Sequence, residues 1–293
     1  MQEAIRFKKQ RDLGAILTDT FKFIRLEWRS LFSLILRLAG PALLLVVLAY
    51  IFYMQSTLGS IGVLDPYNSG TLGVTVLLAL GTLVIAAIIY YALLYGTILH
   101  YIKSYIENDG IVDIPVVKAR VRQSFWSLIG LNLLIGLIVG VGLVFCFIPG
   151  IYLGTVLASG FAVLIFERRD VTDTISYCFD LIKNEWWMTF ATFLVLGILY
   201  YIIAIIFQVP QYIYFFIKGF AMAEEFSGSD PSSMFDWVYM SLSTVGMIAN
   251  YLLQSILIIG TVFVYFNLNE KKHFSGTMET IDQLGQDTTN HHA

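Results

Sequence analysis

The feature that most constrains this chain is a series of long apolar runs, Ala42 to Met54, Val74 to Ile102, Leu128 to Phe147 and Ile198 to Phe207. The longer ones reach the ~20 residues a helix needs to cross hydrocarbon. A backbone inside a bilayer must satisfy its own hydrogen bonds, so runs of this length imply helices that span the membrane. Composition agrees: 57% of residues are hydrophobic, 13% are charged and the mean hydropathy is +0.74, where soluble domains carry about 25% charge. A mixed segment, 1–30, precedes the first run and lacks the pattern of a cleavable leader, so none is expected.

Basic residues mark the loops that stay in the cytoplasm. Arg6, Lys8, Lys9, Arg11, Lys22, Arg25 and Arg29 precede the first run, and the break at 55–70 has no Lys or Arg. The next break holds Lys103, Lys118, Arg120 and Arg122, the one at Phe147 to Gly150 holds none, and the following one holds Arg168, Arg169 and Lys183. The break at 208–236 has Lys218 alone, and the tail has Lys271 and Lys272. This alternation predicts six spans, roughly 31–54, 75–102, 125–147, 150–167, 188–208 and 240–268, with both termini cytoplasmic. The fold class expected is all-α, a polytopic transmembrane helical bundle. Pro149-Gly150 is expected to turn the third span into the fourth, and Val209-Pro210 to break the fifth helix. The aromatic stretch within 209–239 then reads as interfacial or re-entrant. Cys146 and Cys178 fall on opposite sides of the hydrocarbon, too far apart to bond to each other.

Self-similarity adds organisation. Phe21 to Phe32 aligns without gaps with Phe179 to Phe190 in the pattern Phe-x-x-Ile-(Arg/Lys)-x-Glu-Trp-x-x-x-Phe, and a Thr-Asp-Thr precedes each copy, at 18–20 and 172–174. Val116 to Trp126 keeps the basic residues and the Trp but not the Glu. The chain therefore reads as three repeats of one unit, an interfacial helix followed by a helical hairpin. The interfacial helices fall in the cytoplasmic segment 1–30 and near 113–124 and 170–187, and the six-span domain covers 31–268. Apolar residues at helical spacing opposite Lys, Arg and Asp suit helices lying among lipid headgroups. Their basic residues would form a collar able to hold anionic headgroups or a partner, with Arg25, Arg29, Arg120, Arg122, Arg168 and Lys183 as candidates and Trp28 and Trp186 as boundary anchors.

Catalytic signatures are missing. Leu157-Ala158-Ser159-Gly160 lacks the first Gly of Gly-x-Ser-Gly, and Glu224-Glu225 lacks the spaced Arg of a Glu-Glu-x-x-x-Arg motif. The four His are scattered, and no phosphate-cradling Gly-rich loop or basic stripe for nucleic acid stands out. No enzyme activity, cofactor or metal is expected, and nucleic acid is not an expected partner. Polar residues inside spans are costly and therefore candidates for a polar path: Arg37, His100, Asn132, Asn250 and Gln254. The small residues Gly136-x-x-x-Gly140 and Gly150-x-x-x-Gly154-x-x-x-Ala158-x-x-x-Ala162 suggest close packing of the third and fourth spans. The tail, 269–293, begins with a short amphipathic helix, Met278, Ile281 and Leu284 sharing a stripe, with 269–285 a candidate partner contact and 286–293 disordered.

Ile148-Pro149-Gly150-Ile151-Tyr152-Leu153, the exit Phe166-Glu167-Arg168-Arg169, the helix Thr174 to Lys183 and the entry Trp186-Trp187 together resemble bacterial multi-pass proteins grouped with the membrane domain of glycerophosphodiester phosphodiesterases. The resemblance covers 113–268. It implies a bacterial inner-membrane location and no hydrolase activity, the soluble phosphodiesterase domain having no counterpart here. The function expected is a non-enzymatic inner-membrane scaffold that binds lipid or a partner through its collar; the alternative is a transporter or lipid-translocating protein with a path between repeats.

Overall fold

A computed structural model describes residues 5–61, 69–224, 235–274, 276 and 278. Among them the chain is all-α, with the elements α1 Leu13–Leu38, α2 Gly40–Ile61, α3 Ser69–Glu107, α4 Ile114–Phe145, α5 Phe147–Leu157, α6 Gly160–Phe166, α7 Val171–Leu181, α8 Trp186–Glu224 and α9 Trp237–His273. Six stretches are long and apolar enough to span a membrane: Gly40–Thr57, Gly73–Glu107, Ile114–Phe145, Phe147–Phe166, Trp186–Ala221 and Trp237–His273. The protein is a multi-pass membrane protein. Its spans pair as antiparallel hairpins, α2 with α3, α4 with α5, and α8 with α9. One end of the bundle carries the N-terminal arm, α7 and the end of α9, and is called here the termini face; the other is the far face.

Three helices far exceed the bilayer. α3 and α8 have 39 residues each and α9 has 37, so at 1.5 Å per residue each is about 55–58 Å long against a hydrocarbon layer of about 30 Å. The excess is used differently at the two faces. On the termini face, α3 and α9 meet the N-terminal arm and α1 in a dense aromatic layer. Phe7 is buried there, stacked on Phe263 at 4.7 Å and edge-on to Phe23 at 5.4 Å, Phe266 at 5.6 Å and Tyr105 at 6.1 Å. Arg11, its side chain fully buried, donates to Asp19 at 2.8 Å and to the carbonyl of Phe7 at 2.6 Å, while its backbone N–H donates to Asn267 Oδ1 at 2.8 Å. Burial lowers the Arg11 pKa, opposed by Asp19; burial also acts to raise Asp19, but hydrogen bonds from Arg11 and Lys9 outweigh it and hold that carboxyl low. The segment before α1 is thus an anchored arm.

On the far face the excess length stays as an α8/α9 hairpin. Phe215, Phe235 and Tyr239 cluster there, and Asp236 caps α9, accepting from the Tyr239 N–H at 3.1 Å and pairing with Lys218 at 3.0 Å. With Tyr214 also donating to it, the Asp236 carboxyl is held at about 2.

Several expected boundaries move. Pro210 does not break the fifth helix; α8 runs through it to Glu224, because α9 packs alongside, Gly246 letting it come within van der Waals reach of the Phe207 carbonyl. Neighbouring helices make such prolines tolerable in membranes. The first two helices meet at Ala39-Gly40-Pro41, so 31–38, with Arg37, belongs to α1. Residues 114–124 form the first turns of α4 and are continuous with the span. The third-to-fourth connection turns at Cys146, which is extended, while Pro149 sits in the first turn of α5, where its missing N–H costs nothing. Gly150 serves closeness: a Cβ there would lie 2.8 Å from the Leu143 backbone nitrogen. Its partner is Gly142, whereas Gly136 and Gly140 face open space. Both cysteines are free. Of the expected tail helix, Ile281 and Leu284 lie outside the described residues, as does 286–293.

Candidate functional site

The termini face carries a crevice of about 540 Å³. Its walls come from segments far apart in sequence: Lys8 of the arm, Lys103 and Glu107 at the end of α3, Glu167 and Arg169 in the α6–α7 turn, Tyr177 of α7, and Asn269 and His273 of α9. Ile106, Phe166 and Phe266 supply an apolar floor. Local geometry explains the placement. Arg168 takes a left-handed φ of 54°, which ends α6 and sets Arg169 with its guanidinium 4.0 Å above the Tyr177 ring, a distance at which the ring attracts the cation. Lys103 and Glu107, like Asn269 and His273, stand i, i+4 on their helices and so share a face.

The crevice carries both signs of charge. Lys103 Nζ donates to the Ile165 carbonyl at 2.6 Å, one bond of the three an ammonium can make. Glu107 pairs with Arg120 at 2.6 Å, and Glu167 accepts from the buried Tyr265 hydroxyl at 2.6 Å. The Tyr177 hydroxyl and His273 Nε2 are 3.1 Å apart; burial raises the Tyr177 pKa and Glu167 adds to it, so the phenol stays neutral. Asn269 Oδ1 is buried without a hydrogen-bond partner. A buried acceptor left unmade costs about 1–3 kcal/mol, so this atom favours an occupant that brings a donor.

The collar residues are not gathered into one site. Arg25, Trp28 and Arg29 are exposed along α1, Arg122 is exposed on α4, and Arg168 and Lys183 are exposed in turns. Arg120 reaches the crevice rim through Glu107. Trp186 is stacked on Tyr152 and Phe190 at 5.6 and 5.2 Å. Of the polar-path candidates, Asn250 and Gln254 line one cleft, of about 360 Å³, between α2, α3, α8 and α9 toward the far face. Arg37 is exposed at the end of α1 and Asn132 is half-buried on α4. His100 is buried with Nε2 2.9 Å from Ser124 Oγ and Nδ1 unpaired; its partner is Ser124, and the described contacts do not join it to Ser159. Among the described residues no three His, Cys, Asp or Glu group in a way that could hold a metal.

Sequence reasoning used Lys103 and Arg169 only as topology markers, weighed His273 only as one of four scattered His, and passed over Tyr177 and Asn269. The signal that points to them is the pair of i, i+4 polar couples at the ends of two otherwise apolar spans, each beside an aromatic residue. Comparison with protein-family models, with curated proteins and with solved structures finds no match.

Proposed function

We propose that this membrane protein holds the headgroup of a phospholipid in the termini-face crevice, in a binding role without catalysis, that face being the cytoplasmic side of a bacterial inner membrane. The observation that carries the reading is the set of cations Lys8, Lys103 and Arg169 around an aromatic floor, beside the unpartnered Asn269 acceptor. A phosphodiester would take the cations, as phosphate does wherever Lys and Arg converge. A headgroup with its own hydroxyl or ammonium would give Asn269 its donor and place a positive or polar end near Glu167. Phosphoglycerol and phosphoethanolamine headgroups fit; a phosphocholine headgroup has no donor to offer. The exposed collar of Arg25, Arg29 and Arg122 then adds a diffuse attraction to an anionic surface without holding an individual lipid. The resemblance of 113–268 to bacterial inner-membrane proteins supports the location.

The other function expected from the sequence, a path between hairpins, needs a polar seam through both faces. Among the described residues the crevice and the far-face cleft share no lining residue. The test is native mass spectrometry from nanodiscs holding equal phosphatidylglycerol, phosphatidylethanolamine and phosphatidylcholine. Retention of the first two over the third should fall at least fivefold in the Lys103→Gln, Arg169→Gln double variant. It should change little when Arg25, Arg29 and Arg122 become Gln. Equal retention of all three lipids by wild type, or loss only in the collar variant, would overturn the crevice reading.

A further inference from the structure

The far-face cleft has a chemistry unlike the crevice. Its amides are Gln208 and Gln211 of α8 and Asn250 and Gln254 of α9. Its phenols are Tyr50 of α2, Tyr91 of α3, Tyr212 of α8 and Tyr251 of α9. Ser243 and Met247 complete the lining, which among the described residues holds no Asp, Glu, Lys, Arg or His. On the lengths of the helices the cleft runs from the level where α8 leaves the hydrocarbon, at Gln208, to about half its depth, at Tyr91 and Gln254.

Amides and phenols in hydrocarbon are retained at a cost unless they are satisfied, and here they satisfy one another only in part. Tyr50 bonds Ser243, Tyr200 bonds Asn250 Oδ1, and Gln254 interacts with the hydroxyls of Tyr91 and Tyr200. Tyr212 donates to Gln208 Oε1 at 2.8 Å, and Gln211 Nε2 donates to Tyr239 at 3.0 Å. A primary amide has two donors and an acceptor with two lone pairs, so these bonds leave capacity on Asn250, Gln208 and Gln211 directed at the shared space. The fourfold repetition of the amide on facing helices is more than interhelical adhesion needs. At about 360 Å³ the space lies in the range of small-molecule sites. Behind the lining, the hydroxyl of buried Tyr90 donates to the Tyr251 carbonyl at 3.0 Å.

We infer that this cleft is a binding site, open at the far face, for an uncharged polyhydroxylated ligand of mono- or disaccharide size. Amide groups can each donate and accept, matching hydroxyls that do both, and tyrosine rings offer apolar faces to the C–H surface of a sugar. Among the described residues the lining offers no countercharge to a phosphate or carboxylate, which favours an uncharged ligand, because a buried charge needs one. The same chemistry is carried by a free sugar entering from solvent and by the glycosyl headgroup of a lipid entering sideways between hairpins. This inference does not depend on the crevice.

The test uses the full chain in phosphatidylcholine nanodiscs. One arm titrates glycerol, glucose and maltose by saturation-transfer NMR; the other incorporates a glucosyl diacylglycerol and reads retention by native mass spectrometry. Wild type should bind saturably in one arm, and that arm names the source. Gln254→Leu and Asn250→Leu should each weaken binding at least tenfold, and Tyr91→Phe, which keeps the ring in place and guards against a folding defect, at least threefold. Lys103→Gln, which alters only the crevice, should leave it unchanged. No saturable binding in either arm, or binding that survives all three cleft variants, would overturn the assignment.

Discussion

Two stretches of this chain share one sequence pattern and fold differently. Phe21 to Phe32 lies within the unbroken helix α1, whereas Phe179 to Phe190 ends α7 at Leu181, turns, and starts α8 at Trp186. The decisive position is the one after the shared basic residue: Leu26 in the first copy, Asn184 in the second. Asn184 takes a left-handed φ of 70°, a conformation Asn tolerates and Leu resists by roughly 1–2 kcal/mol. The invariant Glu serves both copies but with different partners, Glu27 accepting from Tyr101 at 2.6 Å and Glu185 pairing with Lys271 at 2.7 Å. What the pattern encodes is a boundary marker, a carboxylate followed by Trp; the backbone path is decided by a residue the pattern leaves free.

The largest expected difference between the copies is at the Trp. Trp28 is 52% exposed, while Trp186 is stacked between Tyr152 and Phe190. Trp186→Ala should cost about 3 kcal/mol, and Trp28→Ala under about 1 kcal/mol, by reversible unfolding in mixed micelles. Similar losses from both would mean the copies pack alike.

Next in size is the turn. Asn184→Leu should cost about 1–2 kcal/mol and Asn184→Gly a few tenths at most, Gly being free to adopt positive φ. The reciprocal change, Leu26→Asn, should cost about 0.5 kcal/mol through helix propensity and more through the loss of its packing against the core. If Asn184→Leu is neutral in the same unfolding measurement, the left-handed residue is not what separates the two paths.

The smallest effect is chemical. Cys178 directly precedes the second copy as Thr20 precedes the first, and both are buried. Burial pushes the Cys178 thiol up to about 12, so it stays protonated at physiological pH and gives no nucleophile. Because the folded value exceeds the unfolded one, near ~8.5, its contribution to stability is full below that value and is lost as pH rises past it. A maleimide should modify exposed Cys146 within minutes at neutral pH and reach Cys178 only on unfolding. A Thr20→Cys variant with Cys178→Ser should be equally protected; rapid labelling of either would show that the two buried positions are not equivalent.

Much of the fold was legible because hydrocarbon imposes one rule on every span, and apolar length reads it directly. The boundaries at Ala39 and Pro210 were not, since each depends on a neighbour: Pro210 stays helical where Gly246 brings α9 against α8. The crevice was hidden for a related reason. Lys8, Lys103, Arg169, Tyr177 and Asn269 belong to five segments, and only packing brings them to one cavity. Asn250 and Gln254 were visible as costly polar residues on one helix face, but Tyr50, Tyr91 and Gln208 join them only through helix pairing.

The anchored arm also sets an order of events during synthesis. Arg11 meets Asn267 across a separation of 256 residues, and Phe7 stacks on Phe263 of the same last span. Neither contact can form until α9 has been made and inserted. Loop closure over such a distance is slow compared with local helix formation, so the arm must wait, with its aromatic and cationic groups uncovered, while five spans take their places. The contact between the first residues and the last helix is then the step that reports completed assembly.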